Sequence, residues 1–332
     1  MPPVRPSRFR TAAVSPLIAL IALVAAGCGS SGDPATDGST AAAPAASEFP
    51  AAGGGTLEDL LSQSEPSDNI VVAPTTSVFV QGRNRFGFGV FTVDRTQLTD
   101  AKVAIYIAHG PTGKAEGPFP ARLESLETDP AFTAQTTAND PDAAKAVYVT
   151  DLQLDKPGEW RMVAVVKRDG ATNAVRMPSI VVSTPSEDVI PEVGEKAPVI
   201  HTPTVDDVAD VTQIDTRIPP DDMHDVDFAD VVGKKPVVLM FATPALCQSR
   251  VCGPVVDVAD QVKRDHNGGA AFIHMEIYNQ NDPNKGLRPQ VNAFHLRTEP
   301  WTFVLNSDGT ISSRIEGALS VDELEQAVDR AK

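Results

Sequence analysis

The spacing of apolar residues changes along this chain between patterns typical of strands and of helices. The clearest example lies around residue 250. Residues 236–242 form a short, continuous apolar run, which is typical of a buried strand in a parallel sheet. Pro254 follows, and because proline is tolerated only in the first turn of a helix, we predict a helix that begins between Val251 and Gly253. Its inward face is formed by apolar residues at helical spacing, namely Val255, Val256, Val258, Ala259 and Val262.

The rest of the C-terminal region continues with alternating strand and helix patterns. Further strands are predicted at residues 271–278, 301–305 and 310–315. A hairpin turn at residues 306–309 connects the last two. Residues 289–295 are a short helix candidate, and Ser320 and Glu323 have the spacing of a capping box that opens a final helix. We therefore predict an α/β domain with a mixed sheet over residues 193–332.

Before residue 186 the pattern is that of strands alone. Short runs rich in Val, Phe, Tyr and Ile are separated by turn residues. The predicted strands are residues 70–72, 77–80, 86–93, 102–107, 146–154, 159–166 and 177–182. These short strands predict an immunoglobulin-like β-sandwich over residues 67–186, without an internal disulfide because no cysteine lies there. Residues 125–142 are expected to be a long, polar and mobile loop.

The first residues have the features of an export signal. A positively charged start is followed by an apolar stretch over residues 12–26 and by Gly27-Cys28. We predict a bacterial lipoprotein signal peptide over residues 1–27, cleaved before Cys28, whose thiol is then lipidated; an uncleaved signal anchor is the alternative. Residues 28–66, rich in Gly, Ser, Ala, Pro and Thr, are predicted to be a flexible tether. The expected location is the extracytoplasmic face of the cell membrane.

Charge and cysteine content narrow the function classes. The 332 residues carry a formal net charge of −16 without a basic patch, so nucleic acid is not an expected partner. The cysteines are Cys28, Cys247 and Cys252, and if Cys28 is lipidated the other two form a natural pair. Cys252 is predicted at the start of the helix, where free N–H groups and the helix dipole lower a thiol pKa, and Cys247 in the loop before it.

The last part of the chain, roughly 140 residues, resembles a thioredoxin-like (redoxin) domain. Residues 252–255, Cys-Gly-Pro-Val, are similar to the family's Cys-Gly-Pro-Cys motif, although the cysteine spacing here is Cys-x4-Cys. Thr298-Glu299-Pro300 lies where the family has its cis-proline. The resemblance implies a cis bond before Pro300, with Pro300 facing the cysteines and the Glu299 backbone available to a substrate chain. The whole chain is similar to membrane-anchored thioredoxin-like lipoproteins of high-GC Gram-positive bacteria.

These features together predict a membrane-anchored, extracytoplasmic thiol–disulfide oxidoreductase that uses Cys247 and Cys252 as its catalytic pair. Cys252 is the predicted nucleophile, while the reverse assignment stays open because a loop cysteine is more accessible; Arg250 is a candidate for stabilising either thiolate. Glu299 and Pro300 are the predicted substrate-binding residues. Expected partners are cysteine-containing exported proteins or a redox partner, and no cofactor is expected.

Two alternatives stay open. In a non-catalytic binding or scaffold lipoprotein, Cys247 and Cys252 would form a structural disulfide, which is common outside the cytoplasm, but closing so short a loop gains only roughly 2–3 kcal/mol. A copper-handling protein of the Sco type would need a histidine near the two thiols, and the nearest candidate is His295, so no metal ligands are assigned. The remaining histidines show no ligand spacing: His109, His201, His224, His266 and His274.

Overall fold

The computed structural model describes Met1 and residues 40–67, 69–266 and 268–332. Residues 2–39, which include the predicted lipidation site Cys28 and nearly all of the predicted signal peptide, lie outside the described part. The chain divides into one unit of Met1–Asp33 and another of Pro34–Lys332, and everything below concerns the second unit. No helix in the described part of the chain is both long and apolar enough to span a membrane.

The N-terminal part of this unit consists almost entirely of strands. They are β1 (Glu65–Pro66), β2 (Ile70–Pro74), β3 (Phe79–Val80), β4 (Gly82–Thr92), β5 (Lys102–His109), β6 (Glu116–Pro120), β7 (Arg122–Ser125), β8 (Ala146–Leu154), β9 (Gly158–Arg168) and β10 (Ala171–Ser183). One sheet has the order β2-β4-β8-β7, and the other has the order β1-β10-β9-β5-β6, with β3 pairing to β10. Two short helices accompany them, α1 (Leu57–Gln63) and α2 (Gln135–Ala138).

Apolar side chains from both sheets form a single hydrophobic core. Phe88 and Tyr148 of one sheet share it with Ile105 and Trp160 of the other, and all four are essentially buried. The two sheets are therefore layers of one sandwich. All predicted strands are present, whereas β1, β6 and β7 were not predicted. In β6 the reason is Pro118 and Pro120, because proline argues against a strand except at a sheet edge.

Residues 40–66 do not form the tether that their composition predicted. Phe49, Leu57 and Leu60 are buried against Tyr106 and Val163 on the outer face of the larger sheet. In the sequence of β5 the apolar run from 103 to 108 is continuous, and both of its faces are buried. A strand of this kind needs cover on its second face, and α1 with the segment before it supplies that cover.

The C-terminal part is an α/β domain. Its strands are β11 (Val237–Phe241), β12 (Ala271–Met275), β13 (Trp301–Leu305) and β14 (Ile311–Glu316), and its helices are α3 (Phe228–Val231), α4 (Cys252–Asp265), α5 (Pro289–Ala293) and α6 (Val321–Arg330). Short 3₁₀ turns lie at Ala46–Glu48, Val205–Asp207, Val211–Gln213, Asn279–Asn281 and Pro283–Lys285. The strand order is β12-β11-β13-β14; β11 and β12 are parallel and the other pairs antiparallel.

Both faces of this sheet are covered by helices. Helices α4 and α6 pack on one face, while Phe228 of α3 and Phe294 beside α5 are buried on the other. A β-α-β unit followed by a hairpin and a closing helix is the thioredoxin-like arrangement that the sequence predicted. The helix start was also predicted well, because α4 begins at Cys252 and holds Pro254 in its first turn.

The sandwich and the α/β domain are in direct contact. Glu323 of α6 accepts hydrogen bonds from Arg85 of β4 and Arg122 of β7, at 2.7 and 2.6 Å for the closest atoms. The loop after β7, expected to be mobile, lies across α4: the Ala134 amide donates to Asp257 at 3.2 Å. A Cβ on Gly253 would lie 2.8 Å from the Thr137 hydroxyl oxygen, so this glycine permits the close approach.

Candidate functional site

A disulfide joins the loop after β11 to the first residue of α4. Cys247 and Cys252 form this disulfide, with a Cα–Cα distance of 5.9 Å, so the pairing expected from the sequence is present. Cys252 is fully buried, whereas Cys247 retains 7% of its accessible surface and is followed by the exposed residues 248–250. Cys247 is therefore the more exposed of the two cysteines.

Pro300 follows a cis peptide bond with Glu299, as the resemblance implied. The sequence assigned only the backbone of Glu299 to this site. In the structure, one carboxylate oxygen of Glu299 and the two sulfurs of Cys247 and Cys252 all lie within 4.8 Å of one another. The Glu299 side chain, which the sequence analysis overlooked, is thus the titratable group beside the disulfide.

Burial and a second carboxylate control the charge of Glu299. Burial raises the pKa of Glu299 to about 7, and the nearby Glu276 carboxylate contributes to the rise. The Glu299 Oε2 atom has no hydrogen-bond partner. A carboxyl group with such a pKa exchanges protons readily near neutral pH, which is a property expected of a general acid or base.

Thr216 connects the disulfide loop to the second carboxylate. Its hydroxyl accepts a hydrogen bond from the Ala245 amide at 3.1 Å and donates to Glu276 Oε1 at 2.7 Å, and its own amide donates to the same oxygen at 2.7 Å. Glu276 is buried just beyond β12, where a charged residue interrupts an otherwise apolar sequence. That interruption was the available sequence signal for this part of the site.

Ser249 and Arg250, which lie between the two cysteines in the sequence, make different contacts. The Ser249 hydroxyl lies 3.2 Å from the Cys247 sulfur and is in position to donate a hydrogen bond to a thiolate there. Arg250, the predicted thiolate partner, instead forms an ion pair with Asp140 of the sandwich at 2.9 Å, and its side chain is about half exposed. Arg250 therefore fixes the loop to the neighbouring domain.

The exposed loop after Cys247 separates two cavities. One, of about 310 Å³, extends from Gln248 and Ser249 to Glu299 and has an apolar wall that includes Ile277, Leu287, Val291 and Leu296. The other, of about 540 Å³, lies between the same loop and the edge of the sandwich at Val71, Gly89 and Phe91. Both cavities are thus lined by Gln248 and Ser249, the two residues that follow Cys247.

The structure also gathers residues that the sequence left apart. Asp215, Asp221, His224 and His274 place one ligand-type atom each within 4.8 Å of one another, although the sequence spacing of the histidines gave no sign of it. Beside the two sulfurs, in contrast, the third potential ligand among the described residues is Glu299, and His295 is not part of that group.

No family model matches this chain, and a comparison with curated proteins found no match. Among solved structures, the chain is similar to a thiol:disulfide interchange protein of the thioredoxin family from Chlorobium tepidum TLS, with 20% identity over 42% of this chain and 97% of that chain and a TM-score of 0.31. A TM-score this low carries no argument about function. The strand order of the α/β domain, the disulfide at the start of α4 and the cis bond before Pro300 agree with the resemblance noted in the sequence.

Proposed function

We propose that this chain is a thiol–disulfide oxidoreductase whose reactive bond is Cys247–Cys252. The observation that carries the proposal is the position of this bond, at the first residue of a 14-residue helix and beside the carboxylate of Glu299, the residue that precedes cis-Pro300. A helix N-terminus stabilises a thiolate through its free N–H groups and its dipole. A carboxyl group that titrates near pH 7 can exchange the proton that thiol chemistry requires.

Burial favours Cys247 as the sulfur that meets the substrate, the reverse of the assignment preferred from the sequence. A substrate thiolate attacks the Cys247 sulfur, the Cys247–Cys252 bond breaks, and Cys252 leaves as a thiolate at the helix N-terminus. A second substrate thiolate then attacks the substrate sulfur of the mixed disulfide and releases Cys247. The substrate gains a disulfide and loses two electrons, which the cysteine pair takes up; the reverse sequence reduces a substrate disulfide.

Glu299 completes this scheme as the proton carrier. In its protonated form it can give a proton to the departing Cys252 thiolate, and in its ionised form it can remove one from the Cys252 thiol when the bond re-forms. The 310 Å³ cavity begins at Gln248 and Ser249, directly after Cys247 in the chain, and its apolar wall suits an aliphatic or aromatic side chain near a substrate cysteine. Cysteine-containing exported proteins fit this description.

For the location, we propose a lipid anchor on Cys28 and an extracytoplasmic site. The signal-like start of the sequence supports this, and so does the presence of a disulfide, since disulfides persist outside the cytoplasm. We further propose that the sandwich is immunoglobulin-like. The orders β2-β4-β8-β7 and β10-β9-β5 correspond to the A-B-E-D and G-F-C orders of that class.

A trapping experiment tests the redox proposal. Cys252→Ser frees the Cys247 thiol, and we expect this variant to form a stable mixed disulfide with oxidised glutathione or with a cysteine-containing peptide, detected by intact-protein mass spectrometry. Cys247→Ser, the matched variant, should react at least about tenfold more slowly because its remaining sulfur is fully buried. Equal reactivity of the two variants would contradict the assignment of Cys247 as the outer sulfur.

The reduction potential separates the enzyme from a scaffold protein. We expect a value between about −120 and −270 mV, the range of thioredoxin-like oxidoreductases. A potential below roughly −300 mV, together with no catalysis of insulin reduction or of oxidative refolding, would identify a structural disulfide and overturn the proposal. The copper alternative gains no support from the site, because the third potential metal ligand beside the two sulfurs, among the described residues, is a carboxylate, which is a poor ligand for Cu(I).

A further inference from the structure

The four buried residues Asp215, Asp221, His224 and His274 form a compact cluster apart from the disulfide. We propose that they bind a divalent transition-metal cation of the Zn²⁺ class, in a structural site that neither the redox proposal nor the resemblance contains. The four ligand-type atoms lie within 4.8 Å of one another, and each of the four residues is at most 8% exposed. The proposal does not depend on the reactivity of the cysteines.

Three different parts of the α/β domain supply the ligands. Asp215 follows the 3₁₀ turn Val211–Gln213, Asp221 and His224 lie in the segment before α3, and His274 lies on β12. The His274 amide donates to the Met223 carbonyl at 3.1 Å, which holds this segment against the sheet. The ligands therefore converge only after the segment 215–224 has packed on β12.

His224 is the observation that points to a cation. It is 1% exposed, and neither of its ring nitrogens has a hydrogen-bond partner. A buried imidazole without a partner costs free energy, so such an arrangement calls for a ligand. Its Nε2 atom lies 3.5 Å from Asp215 Oδ2 and 3.6 Å from Asp221 Oδ1. These distances are too long for hydrogen bonds and close to the ~3.3 Å edge of a tetrahedron around a zinc ion with bonds near 2.0–2.1 Å.

Hydrogen bonds behind the ligands orient them toward a common point. The Asp215 carboxylate accepts from the amides of Arg217 and Asp221 at 2.7 and 2.8 Å, and Asp221 Oδ1 accepts from the Met223 amide at 2.8 Å. On the far side of its ring, His274 Nε2 lies 3.2 Å from the Ala242 carbonyl oxygen, to which it can donate. Metal-binding histidines and carboxylates are typically held by such outer contacts.

The charge of the cluster also favours a doubly charged cation. With both imidazoles neutral, the form in which histidine binds a metal, the two carboxylates match the charge of a divalent ion. Two imidazole nitrogens with two carboxylate oxygens suit Zn²⁺ better than Ca²⁺ or Mg²⁺, which prefer all-oxygen sites. The rival arrangement has no metal and a protonated His274, whose Nδ1 lies 2.8 Å from Asp221 Oδ2.

The site would clamp the segment that supports the disulfide loop. Thr216, next to the ligand Asp215, accepts the Ala245 amide and donates to Glu276. A bound metal would thus stabilise the base of the Cys247 loop without taking part in electron transfer. Loss of the metal should therefore mainly lower the melting temperature. Its effect on the rate of disulfide exchange should be the smaller one.

Metal content of the mature chain tests the proposal. We expect about one equivalent of zinc per chain by inductively coupled plasma mass spectrometry after expression with zinc. Metal-free oxidised protein should bind Zn²⁺ in calorimetry, and His224→Ala and the milder His224→Gln should weaken binding at least about tenfold. His201→Ala is the matched control, because His201 is an exposed histidine that pairs with Asp227.

A second set of variants shows whether any measured zinc is bound by the cysteines. In the Cys247→Ser, Cys252→Ser double variant, which has no thiols at this site, zinc binding should remain. Zinc that is lost in the double variant but kept in His224→Gln would overturn the assignment. So would a metal-free wild-type protein whose melting temperature responds to neither zinc nor chelator and whose His274 is an imidazolium by ¹⁵N NMR, since the rival arrangement would then be correct.

Discussion

At the scale of single residues, Glu299 determines how the site responds to pH. Its carboxyl lies beside both sulfurs, and burial together with Glu276 raises its pKa to about 7. A lysine or arginine partner would have held the pKa low and removed the group from proton exchange near neutral pH. The absence of a hydrogen-bond partner on Oε2 leaves that oxygen available to a thiol.

We expect Glu299→Gln to alter the pH profile of disulfide exchange. Below pH 7 the wild-type carboxyl is protonated and can protonate the departing thiolate, so the variant should be slower there by roughly 10- to 100-fold. The difference should shrink as pH rises through about 7. Stopped-flow reduction by dithiothreitol between pH 5 and 9 measures this, and parallel profiles of variant and wild type would exclude the proton-carrier role.

The same variant makes a prediction for stability. Because the folded pKa of Glu299 lies above its ordinary value of 4.5, the carboxyl contributes stability that is present below pH 4.5 and lost as pH rises through about 7. Glu299→Gln should therefore gain stability relative to wild type at pH 8 compared with pH 5, by roughly 1–3 kcal/mol. Denaturant unfolding of the oxidised proteins at both pH values tests the sign.

At the scale of elements, the N-termini of α4 and α6 carry residues that are central to the α/β domain. Helix α4 begins with a sulfur, and α6 begins with Ser320, whose hydroxyl accepts from the Glu323 amide at 3.2 Å. The predicted capping box is only half formed, since the Glu323 carboxylate turns to Arg85 and Arg122 of the sandwich. The Ser320 hydroxyl, while it accepts from the Glu323 amide, also donates to the buried Glu124 carboxylate at 2.6 Å.

We expect Ser320→Ala to destabilise the protein by about 2 kcal/mol, near the upper end of N-cap substitutions, because Glu124 loses a hydrogen bond at the same time. Chemical denaturation followed by circular dichroism measures the effect. Ser62→Ala, at an exposed serine of α1, is the matched control and should change the free energy of unfolding by less than about 0.5 kcal/mol. Equal losses in both variants would mean that Ser320 is not an effective cap.

At the scale of the whole molecule, ion pairs and a shared apolar surface join the sandwich to the α/β domain. Val147 and Val149 of β8 are buried in the same cluster as Val255 of α4. Arg85 and Arg122 lower the pKa of Glu323, although burial opposes them, so the carboxylate is charged in the folded protein. The α/β domain is thus held in position by the sandwich, and the disulfide loop is held with it through Arg250 and Asp140.

We expect Glu323→Leu to cost about 3–5 kcal/mol, because it leaves two arginines without their shared partner, and to loosen the domain contact. Trp160 and Trp301 are the only tryptophans, one in each domain, so Trp→Phe variants report each domain by fluorescence. Unfolding that is coincident in the parent should separate into two transitions in Glu323→Leu. Asp329→Asn, at an exposed site of the same helix, is the control and should keep the transitions together.

The local features of the site were predictable because they depend on neighbours in sequence. An apolar run gave the position of β11 and a proline gave the start of α4, while the cis bond before Pro300 was implied by the family resemblance. The placement of residues 40–66 was not predictable from their composition. Their cover of the sandwich depends on the outer face of β5, which lies far away along the chain.

What the sequence by itself determined was the identity of the elements and the pair of cysteines between a strand and a helix. Only the tertiary structure decided that the Glu299 carboxyl lies at the sulfurs, that Cys247 is the outer one, and that two aspartates and two histidines meet in the interior. The physical reason is that periodicity and capping act over a few residues, whereas burial, pKa and ligand geometry depend on segments brought together when the domain packs.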